Sequence, residues 1–83
     1  FQMKIIDTNN INNEIIYEVE QNPKGVYVAD NIICINLGTE VLFVNSNGWL
    51  IKRYKSSQEI QDVVFSRDIA GIISRNRIEL ISL

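Results

Sequence analysis

Asp62 and Asp68 lie in and just after the apolar run 60–66. Two carboxylates in unlike surroundings are the minimum that general acid/base chemistry needs. Turn positions favour Asp for its local hydrogen bonds to the backbone, and that plainer role is expected of both here. Glu14, Glu18 and Glu20 recur at every second or fourth position, with Ile15, Tyr17 and Val19 between them. Such alternation describes the polar face of a half-buried strand rather than a metal site. Lys52, Arg53 and Lys55 surround Tyr54, and Arg75 and Arg77 follow later. Gathered on one side they would suit an anion or a polysaccharide, but a solvated outer strand accounts for them more simply. Trp49 follows an Asn-Gly pair, where an aromatic can serve recognition; burial between packed sheets is the expectation. Cys34 stands in the apolar run IICI, which predicts a buried, inert thiol.

Histidine is absent from the 83 residues. The commonest general base, the commonest metal ligand and every Ser-His or Cys-His pair are therefore missing. No Gly-rich phosphate loop, Gly-x-Ser-x-Gly, Cys-x-x-Cys or Asn-x-Ser/Thr occurs, and no cofactor or metal is expected. A single cysteine forms no disulfide within the chain. Ten acidic and eight basic residues leave a net charge of −2, so nucleic acid is not an expected partner. No apolar run approaches the ~20 residues of a membrane-spanning helix. The first residues, FQMK, show neither a leader peptide nor an initiator methionine, and the chain is expected to be a piece of a longer protein.

The elements that must carry these residues are strands. An apolar content of 46% is that of a globular chain, and no window sustains helical periodicity without a turn signal. Nine runs rich in Ile, Val, Phe and Tyr are predicted as strands, at about 2–6, 14–20, 25–29, 32–37, 40–45, 49–55, 60–66, 69–75 and 78–82. Asn47-Gly48 predicts a two-residue type I′ hairpin turn. Asp30-Asn31 and Asn76-Arg77 are weaker signals of the same kind. Pro23 falls in a connection, where its missing N–H does no harm.

The runs recur. Residues 15–19 answer 50–54, and Val41-Leu42-Phe43-Val44 answers Ile78-Glu79-Leu80-Ile81 at a shift of 37. A period of about 36 residues with four strands predicts an all-β fold, a β-propeller fragment of about two blades in four-stranded antiparallel meanders. A rival alignment of Gly25–Leu37 with Gly71–Leu83 would give 46. On the shorter period the chain is one propeller segment: two outer strands in 1–20, a complete blade at about 25–55, and three strands in 60–83. Unpaired strand edges then predict self-association by strand exchange.

From Glu18 onward the chain resembles the C-terminal part of an uncharacterised Gram-positive bacterial domain-of-unknown-function family. Asn36-Leu37-Gly38-Thr39-Glu40, Asn47-Gly48-Trp49-Leu50, Lys52-Arg53-Tyr54, Gln58-Glu59-Ile60 and Ile69-Ala70-Gly71-Ile72 carry the resemblance. It implies a propeller-like, membrane-anchored protein with an extracytoplasmic body, the anchor lying outside these residues; it implies no activity. The expected function is a non-enzymatic scaffold or interaction module binding a protein or a cell-envelope component. Binding candidates are Trp49, Tyr54, Arg53, Asp62 and Asp68, with the loops around 7–13, 21–24, 56–59 and 66–68. The alternative is an enzyme or small-ligand site in a central channel, built with blades outside this chain and using Asp62 and Asp68.

Overall fold

Short β-branched and aromatic runs separated by turn residues fold here into strands alone. A computed structural model of the chain describes residues 1–7 and 10–83, and no helix forms among them. The strands are β1 (Gln2–Asp7), β2 (Asn10–Glu18), β3 (Gly25–Ala29), β4 (Ile32–Asn36), β5 (Glu40–Asn45), β6 (Leu50–Lys55), β7 (Ile60–Phe65), β8 (Ile69–Ser74) and β9 (Arg77–Ser82). They form three antiparallel sheets: an N-terminal pair β1-β2, a central sheet β3-β4-β5-β6 and a C-terminal sheet β7-β8-β9. Neighbours in each sheet are neighbours in sequence, so every sheet is a meander.

Alternation of side chains decides how the sheets stack. On β4 and β5, Ile32, Cys34, Val41 and Phe43 face the C-terminal sheet, where they meet Ile60, Val63, Ala70 and Ile72. Ile33, Ile35, Leu42 and Val44 face the other way and meet Val19, Met3, Ile5 and Tyr17 of the N-terminal pair. The middle strands β4 and β5 are thus covered on both faces, and all five residues of β4 are buried. Fully burying side chains such as Phe43, Ile35, Val41 and Val44 contributes roughly 1.5–3 kcal/mol each. Phe43 also meets the edge of Phe65 across the sheets, centroids 5.9 Å apart and planes at 76°. That geometry is worth about 0.5–1.5 kcal/mol beyond its area.

Two turns exchange the roles expected of them. Asp30 and Asn31 both adopt positive φ, 51° and 63°, which is the type I′ pattern. At the β5–β6 hairpin only Gly48 does so, at 85°. The Asn45 side chain sets that turn: its Oδ1 accepts from the N–H groups of Asn47 (2.9 Å) and Trp49 (3.0 Å). Gly48 N–H donates to the Asn45 carbonyl (3.0 Å), and Asn45 N–H to that of Trp49 (2.9 Å). The loop is therefore a type I turn followed by a left-handed glycine, one residue longer than the sequence suggests. β2 also begins earlier than its apolar run, at Asn10, through pairing with β1. Of the expected loop 7–13, residues 8 and 9 lie outside the described residues.

Candidate functional site

Strand direction sorts the loops onto two ends of the stack. One end holds the β3–β4 turn, the β5–β6 hairpin and loop 66–68. The other holds the connections 19–24 and 56–59, which pass between sheets, with the turn 37–39 and the β8–β9 turn at 75–76.

The turn 37–39 organises the second end. Three successive carbonyls each accept a hydrogen bond from a crossing connection: Leu37 O from Gln21 Nε2 (2.8 Å), Gly38 O from Ile60 N–H (2.6 Å) and Thr39 O from Ser56 N–H (2.8 Å). Gly38 adopts φ of 104°, a conformation closed to most side chains. Asn36, only 2% exposed, braces the turn from below. Its Oδ1 accepts from Gly38 N–H (2.8 Å) and its Nδ2 donates to the Ile60 carbonyl (3.2 Å). Sequence reasoning gave Asn36 no role of its own, since nothing in its spacing points to partners 24 residues away. Lys24 and Glu59 form an ion pair linking the two connections at the surface.

An open groove lies beside this brace, lined by Gln58, Glu59, Gln61, Arg75 and Asn76. Its walls come from the β6–β7 connection, the start of β7 and the β8–β9 turn. A bulge between Ile60 and Asp62 leaves Gln61 outside the ladder and places it in the groove wall. Gln58 is held by its own N–H, which donates to Ser56 Oγ (3.1 Å). Its Oε1 is buried and has no hydrogen-bond partner among the described residues. A buried acceptor without a partner is costly, by about 1–3 kcal/mol, so this amide gains by turning its oxygen toward a donor in the groove. The lining as a whole offers amide donors and acceptors, one guanidinium and one carboxylate. That suits a polar, hydrogen-bonding ligand and offers no apolar platform.

The residues singled out from sequence are dispersed. Trp49 is 72% exposed at the tip of the β5–β6 hairpin, contrary to the expectation of burial between sheets. The added loop residue carries it past the sheet edge, next to the half-exposed Leu50 and Ile51. Tyr54 faces the C-terminal sheet and donates to Glu79 Oε2, while Arg53 on the opposite face pairs with Glu40 at 3.2 Å. Arg77 pairs with Glu79 at 2.9 Å, so Arg53, Arg75 and Arg77 do not gather into one basic surface.

Asp62 and Asp68 are both exposed; Asp62 lies near the start of β7 and Asp68 in the loop beyond its end, with roughly 10 Å of strand between Asp62 and that loop. Asp62 accepts from Val63 N–H (2.8 Å) and reaches Tyr27 of the central sheet. Burial raises the Tyr27 pKa above the usual tyrosine value, and the charge and hydrogen bonding of Asp62 add to the rise. Asp68 contributes its carbonyl, which accepts from Leu83 N–H (3.0 Å). Cys34 is wholly buried; burial first, and the Asp62 charge second, push its thiol up to about 12.

Comparison with protein-family models, curated proteins and solved structures finds no match to this chain.

Proposed function

We propose that the chain is a non-enzymatic recognition module, a segment of an extracytoplasmic β-propeller that binds a protein or a cell-envelope component through its loops. One observation carries the binding part: the Gln58 Oε1, unpartnered among the described residues, in a groove of polar side chains beside a turn whose three successive carbonyls each accept a hydrogen bond. Rigid backing with a polar front suits binding, because little ordering is left for the ligand to impose.

The propeller part is supported by how stations recur along the chain. Val41 and Phe43 face the sheet that follows theirs; 37 residues on, Ile78 and Leu80 occupy the corresponding face of β9. Ile33 and Ile35 face the preceding sheet, and so do Ala70 and Ile72 at the same shift. Sheets of two, four and three meandering strands stacked face to face are what one whole blade between two partial ones would look like. Membership of the Gram-positive family, with an anchor elsewhere in the protein, is part of the same proposal. A channel enzyme using Asp62 with Asp68 is the weaker reading, because the length of β7 after Asp62 separates the two residues.

Titrating the ¹⁵N-labelled protein with solubilised bacterial cell-wall glycan tests the binding reading. Shifts confined to Gln58, Gln61, Arg75 and Asn76, and lost in Arg75→Glu, are expected. No shifts at millimolar glycan, or shifts centred on Trp49, would overturn the assignment to this groove.

A further inference from the structure

The C-terminal sheet has one covered face and one bare one. Its bare face presents Val64 on β7, Ile69, Gly71 and Ile73 on β8, and Ile78 and Leu80 on β9. Val64, Gly71 and Leu80 stand opposite one another across the three strands. A Cβ placed on Gly71 would lie 3.1 Å from a Val64 methyl and 3.6 Å from one of Leu80, so these two side chains close over the glycine. Val64, Ile69, Ile78 and Leu80 are 57%, 46%, 67% and 71% exposed. They form one continuous apolar surface.

The outer face of the N-terminal pair is built differently. Lys4 opposes Ile16 and Ile6 opposes Glu14, so each isoleucine is set against a charged residue. Lys4 also pairs with Glu14 (3.6 Å), and Gln2 donates to Glu18 (3.1 Å). Head-to-tail stacking of copies would press the apolar face onto this charged one.

We propose that the bare face of the C-terminal sheet is a self-association surface, on which two copies of this chain pack face to face about a two-fold axis. Between the two outermost sheet faces, only this pairing sets apolar surface against apolar surface at both partners, and an isologous contact closes after two copies. The four exposed side chains supply on the order of 100 Å² each. With Ile73 and the flanking backbone, two copies bury on the order of 1,000 Å², the lower bound of a specific interface. The contact uses a sheet face, distinct from pairing at strand edges, and stands independently of what the polar groove binds.

Sedimentation equilibrium of the 83-residue chain from 10 to 500 μM provides the test. A monomer–dimer equilibrium is expected, weakened at least 100-fold by Leu80→Glu and, independently, by Ile78→Lys. Far-UV circular dichroism shows that each variant keeps its strands, as exposed positions should, and Arg75→Glu leaves the dimer intact. A wild-type monomer at 500 μM would overturn the proposal. So would higher assemblies, or a dimer that survives both substitutions, since those would mean strand-edge pairing or a different surface.

Discussion

Tyr54 on β6 donates its phenol hydrogen bond to the carboxylate of Glu79 on β9, tying the last strand of the central sheet to the last strand of the C-terminal one. Arg77, beside Glu79 on the same face, holds the carboxylate from the other side. The Tyr54 pKa rises for this reason first, through the hydrogen bond to Glu79, and through burial and the Glu79 charge after it. Tyr54→Phe is expected to lose about 1–2 kcal/mol in urea unfolding, the usual worth of a bond to a charged group that is partly solvated. A double-mutant cycle with Glu79→Gln should return a coupling of about 1 kcal/mol. A coupling near zero would mean that the two side chains do not meet in solution.

Alkaline pH should loosen the sheets from one another. Tyr27, Cys34 and Tyr54 all bind their protons more tightly when folded than when unfolded. Stability from these groups is complete below the unfolded thiol value of 9.0 and falls as pH rises through it, toward the folded value of about 12. Urea midpoints should be flat from pH 7 to about 8.5 and decline above it. Cys34→Ala lowers the neutral midpoint by leaving a void but flattens the start of the decline. A wild-type midpoint that rises with pH in this window would contradict the assignment.

Asn36 satisfies two backbone groups that are otherwise stranded at the central turn. Asn36→Ala leaves the Gly38 N–H and the Ile60 carbonyl short of their partner, at about 1–3 kcal/mol for each buried group. Hydrogen exchange offers a local readout, since the Gly38 amide should lose protection well beyond the global change. Unaltered protection there would show that the brace is dispensable.

The β5–β6 turn discriminates sharply between adjacent residues. Gly48→Ala forces a side chain into positive φ and sets its Cβ 2.8 Å from an Ile15 methyl. A loss of about 2 kcal/mol or more is expected, the left-handed strain alone being about 1–2. Asn47 carries no such φ, and Asn47→Ala should fall within about 0.5 kcal/mol. Equal losses at both positions would restore the type I′ turn that the Asn-Gly pair suggests.

Strands were legible because their signal is local. The unbroken apolar run IICI announces a strand buried on both faces, and β4 is one. The groove was not legible, because it depends on a bulge at Gln61 and on carbonyls meeting donors from distant connections. Backbone partners leave no trace in residue type. Trp49 misled for a related reason: its burial turned on a single extra residue in the hairpin, decided by the Asn45 side chain rather than by the apolar pattern.

Cys34 lies opposite Phe43 with no surface exposed, on the face of the central sheet that the C-terminal sheet covers. It is also the only thiol in the protein. A bulky thiol reagent therefore reaches it only during excursions in which those two sheets part, so its uptake in native buffer clocks that opening. The chain carries its own stopwatch for the seam between its second and third layers, and the reading requires no introduced cysteine.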